Sequence, residues 1–182
     1  RAHTILDLLT PVVKGWISDV TLRANHEAIQ IHGGYGYTGD FQVEQIYRDN
    51  RLNPIHEGTE GIHGLDLLGR KLGQRGGKGY RLFLEAARAS ISEAAGSKQC
   101  AGLAAALNDA LGILEQLSPE LQAQDAADVD LGLANATAYL DLFGRVVVGW
   151  IWLRQALVAE RALEAGAADS EADFYQGKLH AA

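Results

Sequence analysis

The sequence has a single cysteine and no methionine among its 182 residues. One cysteine cannot form an intramolecular disulfide, so a reducing compartment such as the cytoplasm is expected. Cys100 lies in an alanine-rich helical pattern, where a thiol serves as a small buried hydrophobic group. The absence of methionine and the start at Arg1 in mid-pattern lead us to expect the C-terminal piece of a longer polypeptide, or a written sequence from which modified methionines are missing.

The sequence also lacks a hydrophobic run long enough to span a membrane. The longest apolar stretch, Val146–Leu153, is interrupted only by Gly149 and is bounded by Arg145 and Arg154. A membrane-spanning helix requires about 20 predominantly apolar residues. No secretory signal pattern is recognisable. We therefore expect no membrane span.

Positive charge is scarce in the second half of the chain. The formal net charge is −7, of which residues 1–75 carry −1 and residues 76–182 carry −6. Nucleic-acid binding depends on a basic face, commonly with aromatic residues between the cations. No such stripe occurs, so no nucleic-acid partner is expected.

Helical periodicity accounts for most of what the sequence does contain. Thr10-Pro11 predicts a helix start, and apolar residues then recur on one face until Gly33. These are Val13, Trp16, Ile17, Val20, Ala24, Ala28 and Ile31. Asp40 and Thr59 predict the starts of two further helices. Because no period-2 run of strand length occurs, the sequence predicts an all-α fold of antiparallel helical bundles.

A glycine-rich segment interrupts the helical pattern. Residues 73–79 contain four glycines in seven positions, which is typical of a linker. We therefore predict one helical bundle over residues 1–72, a linker over 73–79 and a second helical module over 80–182.

Two short motifs in the first module combine glycine with residues able to bind or react. Gln30–Gly34 ends a helix-period run with paired glycines, which take positive φ readily and leave backbone amides open. Glu57–Thr59 places a carboxylate between a turn and a helix start. Gly34–Gly39 also fits G-x-G-x-x-G, but a dinucleotide-binding fingerprint requires a preceding strand, and a helix is predicted here.

The motifs Gln30–Gly34 and Glu57–Thr59 together resemble the C-terminal signature of the acyl-CoA dehydrogenase family. This resemblance implies a flavoenzyme that dehydrogenates the α,β bond of an acyl-CoA thioester, with FAD as hydride acceptor and Glu57 as general base. A glutamate at this position favours a straight-chain acyl-CoA. Residues 80–182 resemble the additional helical domain that some members carry, most closely at Phe174–Leu179.

The resemblance also assigns roles to the residues around the motifs. Glu57 is expected to face the substrate's α-carbon, and Gly58 to lie against the substrate. The implied FAD contacts are Thr59, Glu60 and Gly61, with Gln30, Gly33 and Gly34 reaching the flavin of a neighbouring subunit. A homodimer or homotetramer follows, with an electron-transfer flavoprotein as the expected electron acceptor.

General-base chemistry explains why a carboxylate is needed. The carbon beside a thioester is weakly acidic, so the enzyme must supply a positioned base and stabilise the enolate. A dry pocket would favour this, because desolvation raises the pKa of a carboxyl group and makes the carboxylate a stronger base near neutral pH. No side chain can accept the β-hydride, whereas a flavin can.

Other interpretations of the chain are a metal site, a catalytically idle relative and a module that serves only for oligomerisation. His56 and His63 are seven residues apart rather than the four of H-E-x-x-H, so no metal site is expected. The sequence departs from the family pattern at His56, where tyrosine is usual, and at Gly61 and His63, where some members carry glutamine. A catalytically idle relative and a helical oligomerisation module remain as alternatives.

Overall fold

The computed structural model describes residues 1–182 apart from the side chain of Asp169. The regular structure is helical, and no strand occurs in the part of the chain that is described. The all-α prediction is therefore confirmed.

The α-helices follow one another in this order along the chain: α1 Ala2–Pro11, α2 Ile17–His32, α3 Val43–Asn50, α4 Glu60–Leu65, α5 Gln74–Ala94, α6 Ala101–Ala127, α7 Val129–Leu133, α8 Ala136–Glu164 and α9 Asp169–Ala181. A π-helical segment, Val12–Trp16, joins α1 to α2, and a second one, Asp66–Lys71, extends α4. A 3₁₀ turn, Gly33–Tyr37, follows α2.

The first helix does not begin where the sequence predicted. It starts at Ala2, and Pro11 lies inside it rather than at its first turn. A proline within a helix removes one backbone hydrogen bond and crowds the preceding turn. The π-helical segment directly after Pro11 is an irregularity of the kind that such a disturbance produces. The prediction of a helix start at Thr10-Pro11 is therefore wrong.

The buried side of this helix also differs from the predicted one. The buried positions share one helical face: Leu8, Pro11, Val12 and Gly15. By contrast, Val13, Ile17 and Ile31 are 52, 42 and 84% exposed. A π-helical turn contains an extra residue and so rotates the faces after it relative to those before it. No residue of α2 is buried in this chain.

The residues form two compact units. Unit 1 consists of Arg1–Gly79 and Glu120–Gly144, and unit 2 of Tyr80–Pro119 and Arg145–Ala182. Each unit combines two separate segments, so the division at residues 73–79 stays a prediction. Within that segment, Arg75, Gly76 and Gly77 adopt φ values of 52, 63 and 75°.

Unit 1 is held by close backbone approaches and by buried polar contacts. A Cβ atom on Gly64 would lie 2.7 Å from the carbonyl oxygen of Ala136, so only glycine permits this approach. The Trp16 indole Nε1 donates to Asp141 at 2.8 Å. Lys71 is 6% exposed and pairs with Asp7. These contacts fix the segments that carry the candidate site.

Unit 2 has a regular core of aromatic and aliphatic side chains. Phe83 is fully buried and packs edge-on against Trp150, with the ring centroids 5.6 Å apart. The Trp150 indole Nε1 donates to the Ser90 hydroxyl at 3.0 Å. Cys100 is 1% exposed, as the sequence predicted. Burial raises the pKa of the Cys100 thiol, which keeps it in the unreactive protonated form.

Helix α8 is long and apolar enough, by length and composition, to cross a membrane. Half of its most apolar window is buried inside the structure, however. Phe143, Val146 and Leu153 are among its buried residues. Burial of this kind is typical of a core helix, so α8 is weak support for a membrane span.

Candidate functional site

A run of turns joins α3 to α4 and contains Glu57. The backbone N–H groups of Ile55 and His56 donate to the carbonyl of Leu52, at 3.1 and 2.9 Å. The chain then turns through Glu57 at φ 61° and Gly58 at φ 112°. A non-glycine residue with positive φ costs on the order of 1–3 kcal/mol and persists only where the surroundings hold it. Strain of this kind is often found at functional sites.

The Glu57 carboxylate forms an ion pair with the Lys14 ammonium group. Lys14 belongs to the π-helical segment Val12–Trp16, so the irregular turn after Pro11 places it opposite Glu57. The two side chains are 55% and 43% exposed. The described residues of this chain therefore do not enclose Glu57 in the dry pocket that the sequence led us to expect.

His63 lies beneath this turn. It is 9% exposed, and its Nε2 atom has no hydrogen-bond partner among the described groups. A Cβ on Gly58 would lie 3.3 Å from Nε2, and one on Gly15 would lie 3.0 Å from the His63 Cβ. The two glycines thus leave room for the ring. Burial lowers the pKa of His63, although the Gly58 backbone and the Asp66 carboxylate partly oppose this effect.

Thr59 and Glu60 connect the turn to α4. Thr59 is extended, with φ −85° and ψ 168°, and its side chain makes no hydrogen bond to cap the helix. Glu60 lies in the first turn of α4, where burial raises the pKa of its carboxyl group and the carboxylates of Asp19 and Asp141 raise it further. A group bound here would meet a carboxyl that accepts a proton more readily than a free one.

The end of α2 presents an open stretch of backbone. Gly33 has φ 59° and ψ −140°, and its N–H donates to the carbonyl of Gln30. Gly34 is not among the residues with positive φ, so only the first of the paired glycines uses the left-handed region. No described heavy atom lies within 4 Å of a Cβ position at either glycine. A planar group could approach the main chain closely there.

Large apolar side chains surround this open end and face outward. Ile31, Tyr35 and Tyr37 are 84, 68 and 89% exposed. The Phe41 ring lies 5.5 Å from that of His32 and 5.7 Å from that of Tyr35. Contiguous exposed apolar groups are typical of a surface that contacts another protein surface or a ligand.

The structure brings some of the predicted site residues together and leaves others apart. Glu57, Gly58, Thr59, Glu60 and Gly61 follow one another through the turn into the first residues of α4. Among the described contacts, none joins Gln30, Gly33 or Gly34 to Glu57.

Three residues around the Glu57–Gly58 turn were not assigned to the site from the sequence: Lys14 pairs with Glu57, His63 lies against Gly58, and Gly15 lies against His63. Lys14 and Gly15 precede Glu57 by more than 40 positions, and no local pattern connects them to it. His63 was considered as a departure from the family pattern and rejected as a metal ligand. It lies six residues after Glu57, and no pattern in the sequence had marked it as a buried histidine.

Among the described residues, no group of three or more histidine, cysteine, aspartate or glutamate side chains could hold a metal ion.

Comparison with known families accounts for nearly the whole chain. A family model described as "Acyl-CoA dehydrogenase, C-terminal domain" matches residues 2–72. A second one, "Acetyl-CoA dehydrogenase C-terminal like", matches residues 83–182. The chain belongs to the acyl-CoA dehydrogenase family. The resemblance seen in the sequence motifs is thereby confirmed.

Individual relatives agree with this family membership. The chain is 34% identical to 3-methylmercaptopropionyl-CoA dehydrogenase of Ruegeria pomeroyi over 98% of its residues. It is 33% identical to a broad-specificity linear acyl-CoA dehydrogenase of Mycobacterium tuberculosis, and 29% identical to a butyryl-CoA dehydrogenase of Syntrophomonas wolfei, again over 98%. The chain spans about 30% of the length of these relatives.

Proposed function

We propose that the protein containing this chain is an FAD-dependent acyl-CoA dehydrogenase in which Glu57 is the general base. The observation that carries the proposal is the Glu57–Gly58 turn, where a carboxylate is held at a strained φ of 61° and remains 55% exposed. Strain is retained where it serves a site, and an exposed carboxylate is available to a substrate that approaches it.

Each residue of the turn has a distinct task in this proposal. Glu57 removes the proton from the α-carbon of the thioester. Gly58 carries no side chain, so the acyl group can pass close to the main chain. The Lys14 ammonium group pairs with the Glu57 carboxylate and defines the direction in which that carboxylate points. His63 packs against Gly58 and so holds the turn in place. Burial lowers the pKa of His63, which favours the neutral ring.

The residues that would hold FAD fit a flat group with a phosphate tail. The backbone at Gly33 and Gly34 is open to close approach, and Gln30 beside it is exposed. The Thr59 hydroxyl makes no hydrogen bond that caps α4 and is therefore free to contact a ligand. Glu60 and Gly61 follow it directly in the chain. When bound, a flavin supplies the acceptor for the hydride that leaves the β-carbon.

The proposal includes partners that this chain does not contain. The exposed apolar groups beside Gly33, among them Ile31 and Tyr37, suit contact with a second subunit in a homodimer or homotetramer. An acyl-CoA is the substrate, an electron-transfer flavoprotein is the acceptor, and a reducing compartment such as the cytoplasm is the location. Because the chain spans about 30% of its relatives, we expect residues 1–182 alone to bind FAD weakly and to lack turnover.

Substitution of the base tests the proposal in the intact protein. Glu57→Gln should retain bound flavin and lower turnover of a straight-chain acyl-CoA by about 10²–10⁴-fold, the usual contribution of a general base. Glu44→Gln is the matched control, because Glu44 is a carboxylate of α3 that pairs with Arg48 on the same helix. Unchanged turnover in Glu57→Gln would exclude Glu57 as the base. An unmodified protein with bound flavin and no turnover would favour a catalytically idle relative.

A further inference from the structure

Unit 2 contains a cavity of about 630 Å³ that none of the roles above uses. Residues of α5, α8 and α9 line it. Its volume lies within the range of about 300–1,000 Å³ that is typical of small-molecule sites. The cavity is therefore large enough to bind a small molecule.

The wall contributed by α8 is mostly aliphatic. Ile151, Leu157, Val158 and Ala159 line the cavity. Val158 is 58% exposed, an unusual fraction for a valine on the longest apolar helix of the chain. Phe174 of α9 also lines the cavity and is 58% exposed. An alkyl chain placed here would cover apolar surface that is otherwise in contact with water.

Cations are concentrated at the same cavity. Arg154, Arg161 and Lys178 line it, although residues 76–182 carry only eight basic side chains in all and a net charge of −6. Arg161 pairs with Glu93 at the rim. No described carboxylate forms an ion pair with Arg154 or Lys178. The cavity is therefore locally positive within an acidic half of the chain.

The two cations without a carboxylate partner are held in place by aromatic rings. The Arg154 guanidinium lies 5.3 Å from the ring centroid of Trp150, which is 7% exposed. The Lys178 ammonium lies 5.4 Å from the ring centroid of Phe174. Such cation–π contacts restrain the charged groups without neutralising them. Their donors remain available to an anion.

We propose that this cavity binds a single-chain anionic amphiphile, with the alkyl chain along Val158 and Phe174 and the anionic head at Arg154 and Lys178. An aromatic anion such as a nucleotide fits less well. The Phe174 ring already packs edge-on against Tyr175, with centroids 5.4 Å apart, and carries Lys178 over it. Lys178 therefore already lies over the ring on which a base would have to stack.

Titration of the intact protein with 12-carbon probes tests this assignment. Dodecanoate or dodecyl phosphate, kept below its micellar concentration, should bind saturably, whereas dodecyltrimethylammonium should not. The comparison of the two anions shows whether the head is a carboxylate or a phosphate. Calorimetry on the unmodified protein measures all three, so this arm does not depend on the folding of any variant.

Substitutions then locate the site. Arg154→Gln/Lys178→Gln should weaken binding of the anionic probe by about 10- to 100-fold, which corresponds to the loss of charge-assisted contacts. Val158→Trp should weaken it similarly by filling the cavity at an exposed position. Arg88→Gln/Lys98→Gln is the matched control, since it removes the same charge from exposed positions of unit 2 outside the cavity.

Four results would overturn the assignment. They are the absence of saturable binding by either anion, equal binding of the cationic probe, unchanged affinity in both cavity variants, and binding to anionic phospholipid vesicles without binding of monomeric probes.

Discussion

The two units differ in how closely they follow the ordinary rules of helical packing. In unit 2, the described buried polar groups are paired, as Trp150 with Ser90 and Tyr80 with Ser118. In unit 1, Glu57 has positive φ and the buried Nε2 of His63 lacks a partner. The paired polar groups of unit 2 stabilise its core. In unit 1, by contrast, the backbone at Glu57 is strained and the buried Nε2 atom of His63 makes no hydrogen bond among the described groups.

This difference indicates where function is to be expected. Sequences that fold well satisfy their local preferences, and departures from them concentrate at functional or strained sites. In unit 1, one group of departures is formed by the Glu57 turn and His63, and another lies at Arg75, which has φ 52°. Among the described residues that line the cavity of unit 2, none has positive φ. The following predictions are ordered by the size of the expected effect.

The largest effect is expected in the core of unit 2. Phe83→Ala should lower the free energy of unfolding by about 3–5 kcal/mol, because it removes a fully buried ring and leaves a cavity. Phe174→Ala is the control, since Phe174 is 58% exposed, and it should change stability by less than about 1 kcal/mol. Denaturant unfolding measures both. Equal effects would show that unit 2 is not packed as described.

The next largest loss of stability is expected at an ion pair of unit 1 in which the lysine is buried and the aspartate is partly exposed. Asp7→Asn leaves the Lys71 charge, 6% exposed, without its partner, so we expect a loss of about 1–3 kcal/mol. Lys71 lowers the pKa of Asp7 through a hydrogen bond. The stabilisation is therefore complete above the pKa of a free aspartate and is lost as the pH falls through the lowered value.

Acid unfolding provides the measurement, and an exposed pair provides the control. Asp66 pairs with Arg70 at 2.6 Å on the surface of the same segment, and Asp66→Asn should cost less than about 1 kcal/mol. The Asp7→Asn variant should show a weaker loss of stability than the unmodified chain as the pH falls below the pKa of a free aspartate. An unaltered acid profile would contradict the role assigned to the Asp7–Lys71 pair.

A smaller loss of stability is expected at the paired glycines that end α2, and the two positions should differ from each other. Gly33→Ala should cost about 1–2 kcal/mol, because alanine is disfavoured at φ 59°. Gly34→Ala should have nearly no effect on stability, since its φ is not positive and its Cβ position is open. Thermal unfolding of the two variants distinguishes them. Equal costs would mean that both glycines use the left-handed region, as the sequence first suggested.

The smallest effect concerns the pH dependence that His63 contributes. Burial lowers the pKa of His63, so its stabilisation is complete above the pKa of a free histidine and is lost as the pH falls through the lowered value. His63→Leu should remove this slope, which is at most about 1.4 kcal/mol per pH unit for one proton. His32→Leu, at an exposed position, should leave it. A slope that survives in His63→Leu would assign it to another group.

The sequence predicted the fold class and the turn but not the packing. Helical periodicity was sufficient for the all-α fold, and Glu57-Gly58 marked the turn. The predicted inward face of the first helix was wrong, because the π-helical segment Val12–Trp16 shifts the periodicity and is not visible as a spacing. Lys14 could not have been predicted as the partner of Glu57, since tertiary packing brings them together across more than 40 residues. The assignment of Glu57 as base and the FAD contacts stay predictions.

The central claim is that Glu57 removes the α-proton, and isotope exchange measures that step apart from hydride transfer. The intact protein, incubated with a straight-chain acyl-CoA in D₂O, should exchange the α-protons of the thioester for deuterium, as followed by NMR. We expect Glu57→Gln to slow this exchange by about 10²–10⁴-fold, and Glu44→Gln to leave it unchanged. Exchange at the unmodified rate in a folded, flavin-containing Glu57→Gln variant would contradict the account.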